Sequence, residues 1–95
     1  MLDREMDDWT DLVEPEMLTR RLTLDEYFAE HVEWVRKGHI TQAAVDQNRA
    51  QLEARWQPGD EWWEWIMGTE KLMQMGGLAL VRGGQIAWAR NDWIS

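Results

Sequence analysis

Gly77-Leu78-Ala79-Leu80-Val81-Arg82-Gly83-Gly84-Gln85-Ile86-Ala87-Trp88-Ala89-Arg90 is the stretch that decides the fold. Two short apolar runs, Gly77–Arg82 and Gln85–Arg90, flank a Gly-Gly pair. A two-residue glycine loop suits a primed turn with positive φ at both positions, so the stretch predicts a β-hairpin. In the simplest register Val81 faces Ile86 and Ala79 faces Trp88, with Leu80 opposite Ala87 on the other side. The tail Asn91-Asp92-Trp93-Ile94-Ser95 prolongs the second strand.

Upstream, Asp60-Glu61-Trp62-Trp63-Glu64-Trp65-Ile66-Met67 reads as a third strand. Alternation puts Glu61, Trp63, Trp65 and Met67 on one face, read as core. It puts Asp60, Trp62, Glu64 and Ile66 on a wetter one. The connector Gly68–Gly76 has room for one helical turn over Glu70–Met75. Met67, Met73 and Met75 bracket it, as core filling or as an adaptable contact surface. Pro58-Gly59 closes whatever precedes the strand.

The middle of the chain is helical. Thr23-Leu24-Asp25-Glu26 is a capping box, a Thr with a Glu three residues later. Behind it Leu24, Tyr27, Phe28, His31, Val32, Trp34 and Val35 share one arc at 100° per residue, with charged residues opposite. Gly38 suits the position just past a helix end. A helix is expected over Leu24–Lys37. Thr41 is a natural N-cap for a second, Gln42 to about Arg55, whose apolar stripe is weaker. A short connection makes the pair a helical hairpin.

Residues 1–16 hold seven acids (Asp3, Glu5, Asp7, Asp8, Asp11, Glu14, Glu16) and one base, Arg4. Such a segment reads as a solvated, partly frayed terminus, or as an arm that orders on a partner. The whole chain has 95 residues, 10 Lys+Arg against 18 Asp+Glu, a formal net charge of −8, no Cys and eight Trp. That length predicts a single domain over 1–95.

The expected fold is α+β: two N-terminal helices packed on a three-stranded antiparallel sheet (60–67, 77–82, 85–93) ending in a β-hairpin. The arc of the first helix and the Trp63/Trp65 face should form the core. A small open sheet has two edges, which makes a homodimer or strand addition to a partner an expectation.

The counts remove several function classes. Without Cys there is no disulfide framework, thiolate catalysis or thiolate metal site. No apolar run approaches the ~20 residues of a membrane span. The acidic start is unlike a signal peptide, which points to the cytoplasm of a bacterial cell. Nucleic-acid binding rests on clustered Lys and Arg, and the charge balance argues against it. The same balance favours a protein partner with a basic surface. No P-loop, dinucleotide fingerprint, nucleophile elbow or paired zinc-histidine motif is present. No cofactor or metal is expected.

His31, in the middle of the apolar arc, reads as a largely buried structural histidine rather than a ligand or base. His39 follows Gly38 on a turn and should be exposed. Glu61 and Glu64 point to opposite faces of a strand and serve as solubilising charge.

The segment from Gly59-Asp60-Glu61-Trp62 through Gly76-Gly77-Leu78-Ala79-Leu80-Val81-Arg82 to Gly83-Gly84-Gln85-Ile86 resembles the C-terminal part of small uncharacterised bacterial proteins. They share a Gly-Asp-Glu-x-Trp … Gly-x-Ala-x-Val-Arg-x-Gly-x-Ile pattern. The resemblance covers roughly residues 59–95, implies a strand, a loop and a hairpin, and brings no assigned activity.

These features point first to a non-catalytic protein-interaction module of the immunity, antitoxin, adaptor or inhibitor type. Its partner-binding residues would be Asp7, Asp8, Trp9, Asp11, Trp62, Glu64 and Trp93. Trp9 and Trp62, each beside acids, are the tryptophans expected to be least committed to the core. A small-ligand module with a Trp-lined pocket and a small enzyme or enzyme subunit using His31 are the alternatives.

Overall fold

The computed structural model describes residues 8–29, 31–68 and 73–94. In chain order come a 3₁₀ turn Pro15–Met17, β1 (Leu18–Leu22), α1 (Leu24–Ala29), α2 (His31–Arg36), α3 (Gln42–Arg55), β2 (Glu61–Met67), β3 (Met75–Arg82) and β4 (Gln85–Ile94). The class is α+β, and the sheet has four strands in the order β1-β2-β3-β4 rather than three. The helices therefore lie between the first strand and the second, not ahead of the sheet. α1 and α2 flank Glu30, which lies outside the described residues, as do the first three residues of the helical turn expected over Glu70–Met75; the described remainder is not helical, since residues 73–74 are irregular and Met75 opens β3. No helix among the described residues is long and apolar enough to cross a membrane.

The chain divides into two compact units, residues 1–21 with 59–95, and residues 22–58. The first is the sheet. Its hairpin turns as expected, with Gly83 at φ 60° and Gly84 at φ 79°, backbone angles costly for any residue with a Cβ. Val81 pairs with Ile86. Beyond that pair the expected register fails. A bulge between Leu80 and Val81 leaves Ala87 over, so Trp88 pairs with Leu80 and Ala79 with Ala89. One extra residue moves every later side chain to the opposite face. On the face carrying Trp65, Ala79 thereby meets a second alanine, Ala89, where a tryptophan was expected.

That exchange makes room for large rings. Trp65 is fully buried and clusters with Val13, Ala79 and Ala89. Trp9, Met17 and Leu18 pack against the cluster. Trp9 stacks on Trp65 with ring centroids 6.0 Å apart. The described part of the acidic N-terminal segment is thus a cover, not a frayed end. Two bonds fix it to β4: the Trp9 N–H donates to the Ala89 carbonyl (2.8 Å), and the Ala89 N–H donates to Thr10 Oγ1 (3.2 Å). The outer edge of the sheet at Ala89 is occupied by the chain's own turn.

β1 was not visible in the sequence. Leu18-Thr19-Arg20-Arg21-Leu22 has no alternating apolar signal because it is an edge strand with polar side chains outward. It is registered by β2. Thr19 Oγ1 donates to the Glu64 carbonyl (3.1 Å), and Arg21 pairs with Glu61 (3.4 Å). As the chain runs from 19 to 21 its partner runs from 64 to 61, so the strands are antiparallel.

A second bulge, opposite Gly76 and Gly77, leaves Asp92 of β4 over. Gly77 is there for space, since a Cβ would sit 2.0 Å from the Arg90 carbonyl oxygen. That oxygen accepts the indole N–H of Trp65 at 3.1 Å. The buried tryptophan's polar atom is thereby satisfied.

In the helical unit, the capping box forms as read. Glu26 N–H donates to Thr23 Oγ1 (3.1 Å) and Thr23 N–H to Glu26 Oε1 (2.8 Å). α2 ends in a Schellman motif: His39 N–H donates to the Trp34 carbonyl and Gly38 N–H to that of Val35. Thr41 caps α3 through Ala44 N–H at 3.1 Å. Leu22, Leu24, Phe28, Val45 and Leu52 are buried.

Candidate docking surface on the helical unit

The apolar arc spanning α1 and α2 has two fates. Leu24 and Phe28, at its centre, are buried, while Val32 and Trp34 are 63% and 53% exposed. On a wheel of 100° per residue those two are the flanks of the arc, about 160° apart, wider than the ~100° stripe that one-sided packing needs. The chain turns more apolar surface outward here than its own fold uses.

Between α1–α2 and α3 lies an open cleft of about 260 Å³. Phe28, Val32, Val35 and Val45 give it apolar walls, and Asp25, Gln42, Asp46 and Arg49 give it polar ones. His31 belongs to the lining and is half-buried. Its ring lies 5.2 Å from Phe28, 5.3 Å from Tyr27 and 5.1 Å from Trp34. Its Nδ1 is buried and has no hydrogen-bond partner among the described residues. His39 is exposed, as expected.

Arg49 ties α3 to α1. It donates to Asp25 Oδ1 at 2.6 Å and to Glu53 Oε2 at 3.3 Å, and its guanidinium carbon sits 5.7 Å from the Phe28 ring centroid. The hydrogen bond to Asp25, aided by Glu53 and opposed by partial burial, raises its pKa above the ordinary arginine value. Asp46 has a neutral neighbour, accepting from Gln42 Nε2 at 2.9 Å. No three His, Cys, Asp or Glu side chains gather as metal ligands among the described residues.

The residues singled out from the sequence do not form one surface. Asp7 lies outside the described residues. Asp8 is exposed and accepts from the Thr10 N–H (3.0 Å) and hydroxyl, shaping the N-terminal turn. Asp11 is exposed. Trp9 is committed to the cluster under Trp65. Trp62 is also a correction: it is 7% exposed, paired across the sheet with buried Leu80. The face read as half wet is buried as well, because β3 presents Leu78 and Leu80 there. Glu64 is half-buried and engages Thr19 (3.2 Å) and Arg20 (4.0 Å). Trp93, 39% exposed, lies over Gly76, where a Cβ would meet its ring at 2.5 Å.

Reading the whole arc as core misses its exposed flank residues Val32 and Trp34, and with them Asp46, which lines the cleft together with Val32. The arc's excess width was the signal available. No protein-family model, no curated protein and no solved structure matches the chain.

Proposed function

We propose that this chain is a non-catalytic interaction module that docks through its helical unit on a larger, locally basic protein. The exposed apolar flanks of the first helical arc, Val32 and Trp34, support this most directly. Tryptophan is enriched among the residues that anchor interfaces, where a large ring leaves water with little loss of conformational freedom. The net charge of −8 supports a basic partner. Exposed Asp8 and Asp11 add to a field that reaches about 8 Å at physiological salt. Charge of this kind speeds encounter, and the aromatic anchor sets the lifetime of the complex.

The test is affinity capture from the native cell, then binding kinetics with the purified captured protein. Trp34→Ala raises the dissociation rate at least tenfold while thermal unfolding stays within a few degrees of the parent. Raising the salt slows association. A Trp34→Ala protein that binds as tightly as the parent overturns the reading.

A second reading, a small enzyme or enzyme subunit using His31, draws on the cleft that brings His31, Asp25 and Asp46 to the same lining. Under it, His31→Gln removes an activity and leaves protein docking unchanged.

A further inference from the structure

We propose that the cleft between α1–α2 and α3 is a subsite for one lysine side chain of the docked partner. This inference rests on the docking reading and specifies the chemistry that the partner brings.

Size comes first. At about 260 Å³ the cleft lies below the roughly 300–1,000 Å³ typical of small-molecule pockets. It suits a single long side chain. The walls have the matching polarity. Val32, Val35 and Val45 offer an apolar track for a four-carbon stem, and Asp46 offers a carboxylate for the head. Long basic side chains bind in this manner, stem on apolar surface and charge at the rim.

The charges separate the two carboxylates of the lining. Asp25 is already paired, at 2.6 Å, with Arg49. Asp46 accepts from Gln42, a neutral group, while Arg49, one helical turn away, spends its hydrogen bonds on Asp25 and Glu53. The lining contains two carboxylates, Asp25 and Asp46, against one arginine, Arg49. A positively charged occupant restores the balance. Arg49 itself shows the arrangement working on the other wall, its guanidinium resting near Phe28 and bonded to a carboxylate.

Lysine is favoured over arginine by the state of Asp46. Gln42 already occupies Oδ1, so a two-pronged guanidinium fork finds only part of its acceptor, whereas an ammonium pairs as a point charge with Oδ2.

The experiment uses the full chain and three defined probes: N-acetyl-lysine amide, N-acetyl-arginine amide and uncharged N-acetyl-norleucine amide. Backbone amide shifts are followed by NMR during titration. The lysine probe moves the amides of Val32, Val45 and Asp46 with a steeper concentration dependence than either of the others. Asp46→Asn, on an exposed helix position, reduces that slope by about twofold to fivefold, the range one exposed ion pair supplies. Val32→Gln reduces it without altering charge. Equal slopes for lysine and norleucine, a stronger response to arginine, or an Asp46→Asn protein that responds like the parent each overturn the subsite. None of these bears on the docking reading, which stands or falls on Trp34→Ala with the captured protein.

Discussion

Arg82 holds the carboxylate of Asp60 with two hydrogen bonds, Nε to Oδ1 at 2.9 Å and a terminal nitrogen to Oδ2 at 2.8 Å. The carboxylate is 1% exposed and the arginine side chain 44%. The hydrogen bonds from Arg82 to Asp60 raise the arginine's pKa, so the cation is present throughout the usable pH range. Asp60 and Arg82 belong to the Gly-Asp-Glu-x-Trp and Val-Arg halves of the pattern noted in the sequence. In this chain those halves are joined by an ion pair that extends the Glu61–Val81 rung of the β2–β3 ladder by one position.

The asymmetric burial predicts asymmetric mutants. Arg82→Met strands a buried carboxylate, whereas Asp60→Asn leaves an arginine that water can reach. Urea unfolding should rank Arg82→Met as the less stable single variant. The double variant should recover part of the loss, because it removes the stranded charge. A double variant less stable than Arg82→Met alone contradicts this account.

Trp9→Ala should lower stability by about 2 kcal/mol, less than a fully buried tryptophan costs because Trp9 is half-exposed. It should also red-shift the emission of Trp65 as its cover is lost. Fluorescence-monitored urea titration reads both effects. An unchanged midpoint would return the N-terminal segment to the role of a solvated arm.

Gly77→Ala and Gly84→Asn separate two uses of glycine. An alanine Cβ at 77 would lie 2.0 Å from the Arg90 carbonyl oxygen, so the bulge must open and the Trp65 indole loses its acceptor. A cost of about 2–3 kcal/mol follows from overpacking and the lost bond. At 84 there is open space and only φ to satisfy, which asparagine tolerates, so the cost stays under about 1 kcal/mol. Thermal melts of the two variants check the order.

What the sequence showed follows the range of the interactions concerned. The Gly83–Gly84 turn, the Thr23 capping box and the Thr41 cap are set by residues at most three positions apart, and all three form. β1 depends on Glu61 and Glu64, some forty positions away, and left no local trace. The bulge that sends Trp88 to Leu80 depends on how the ring of Trp65 is accommodated, which alternation alone does not express. The candidate docking surface was half legible. The arc itself was plain, but only burial separated its centre from Val32 and Trp34.

The placement of the helical unit between β1 and β2 has a kinetic consequence. β3 and β4 meet across a two-residue turn, whereas Thr19 and Glu64 meet across 45 residues. Loop-closure entropy grows by about 0.6 kcal/mol per doubling of length, so the β1–β2 pairing starts about 2–3 kcal/mol behind the hairpin. The order of assembly is then hairpin, β2, and β1 last. Contacts made after the rate-limiting step alter unfolding rates more than folding rates. Thr19→Ala should therefore steepen unfolding and leave refolding nearly untouched, and the amides of Thr19 to Arg21 should be the first of the sheet to exchange with deuterium.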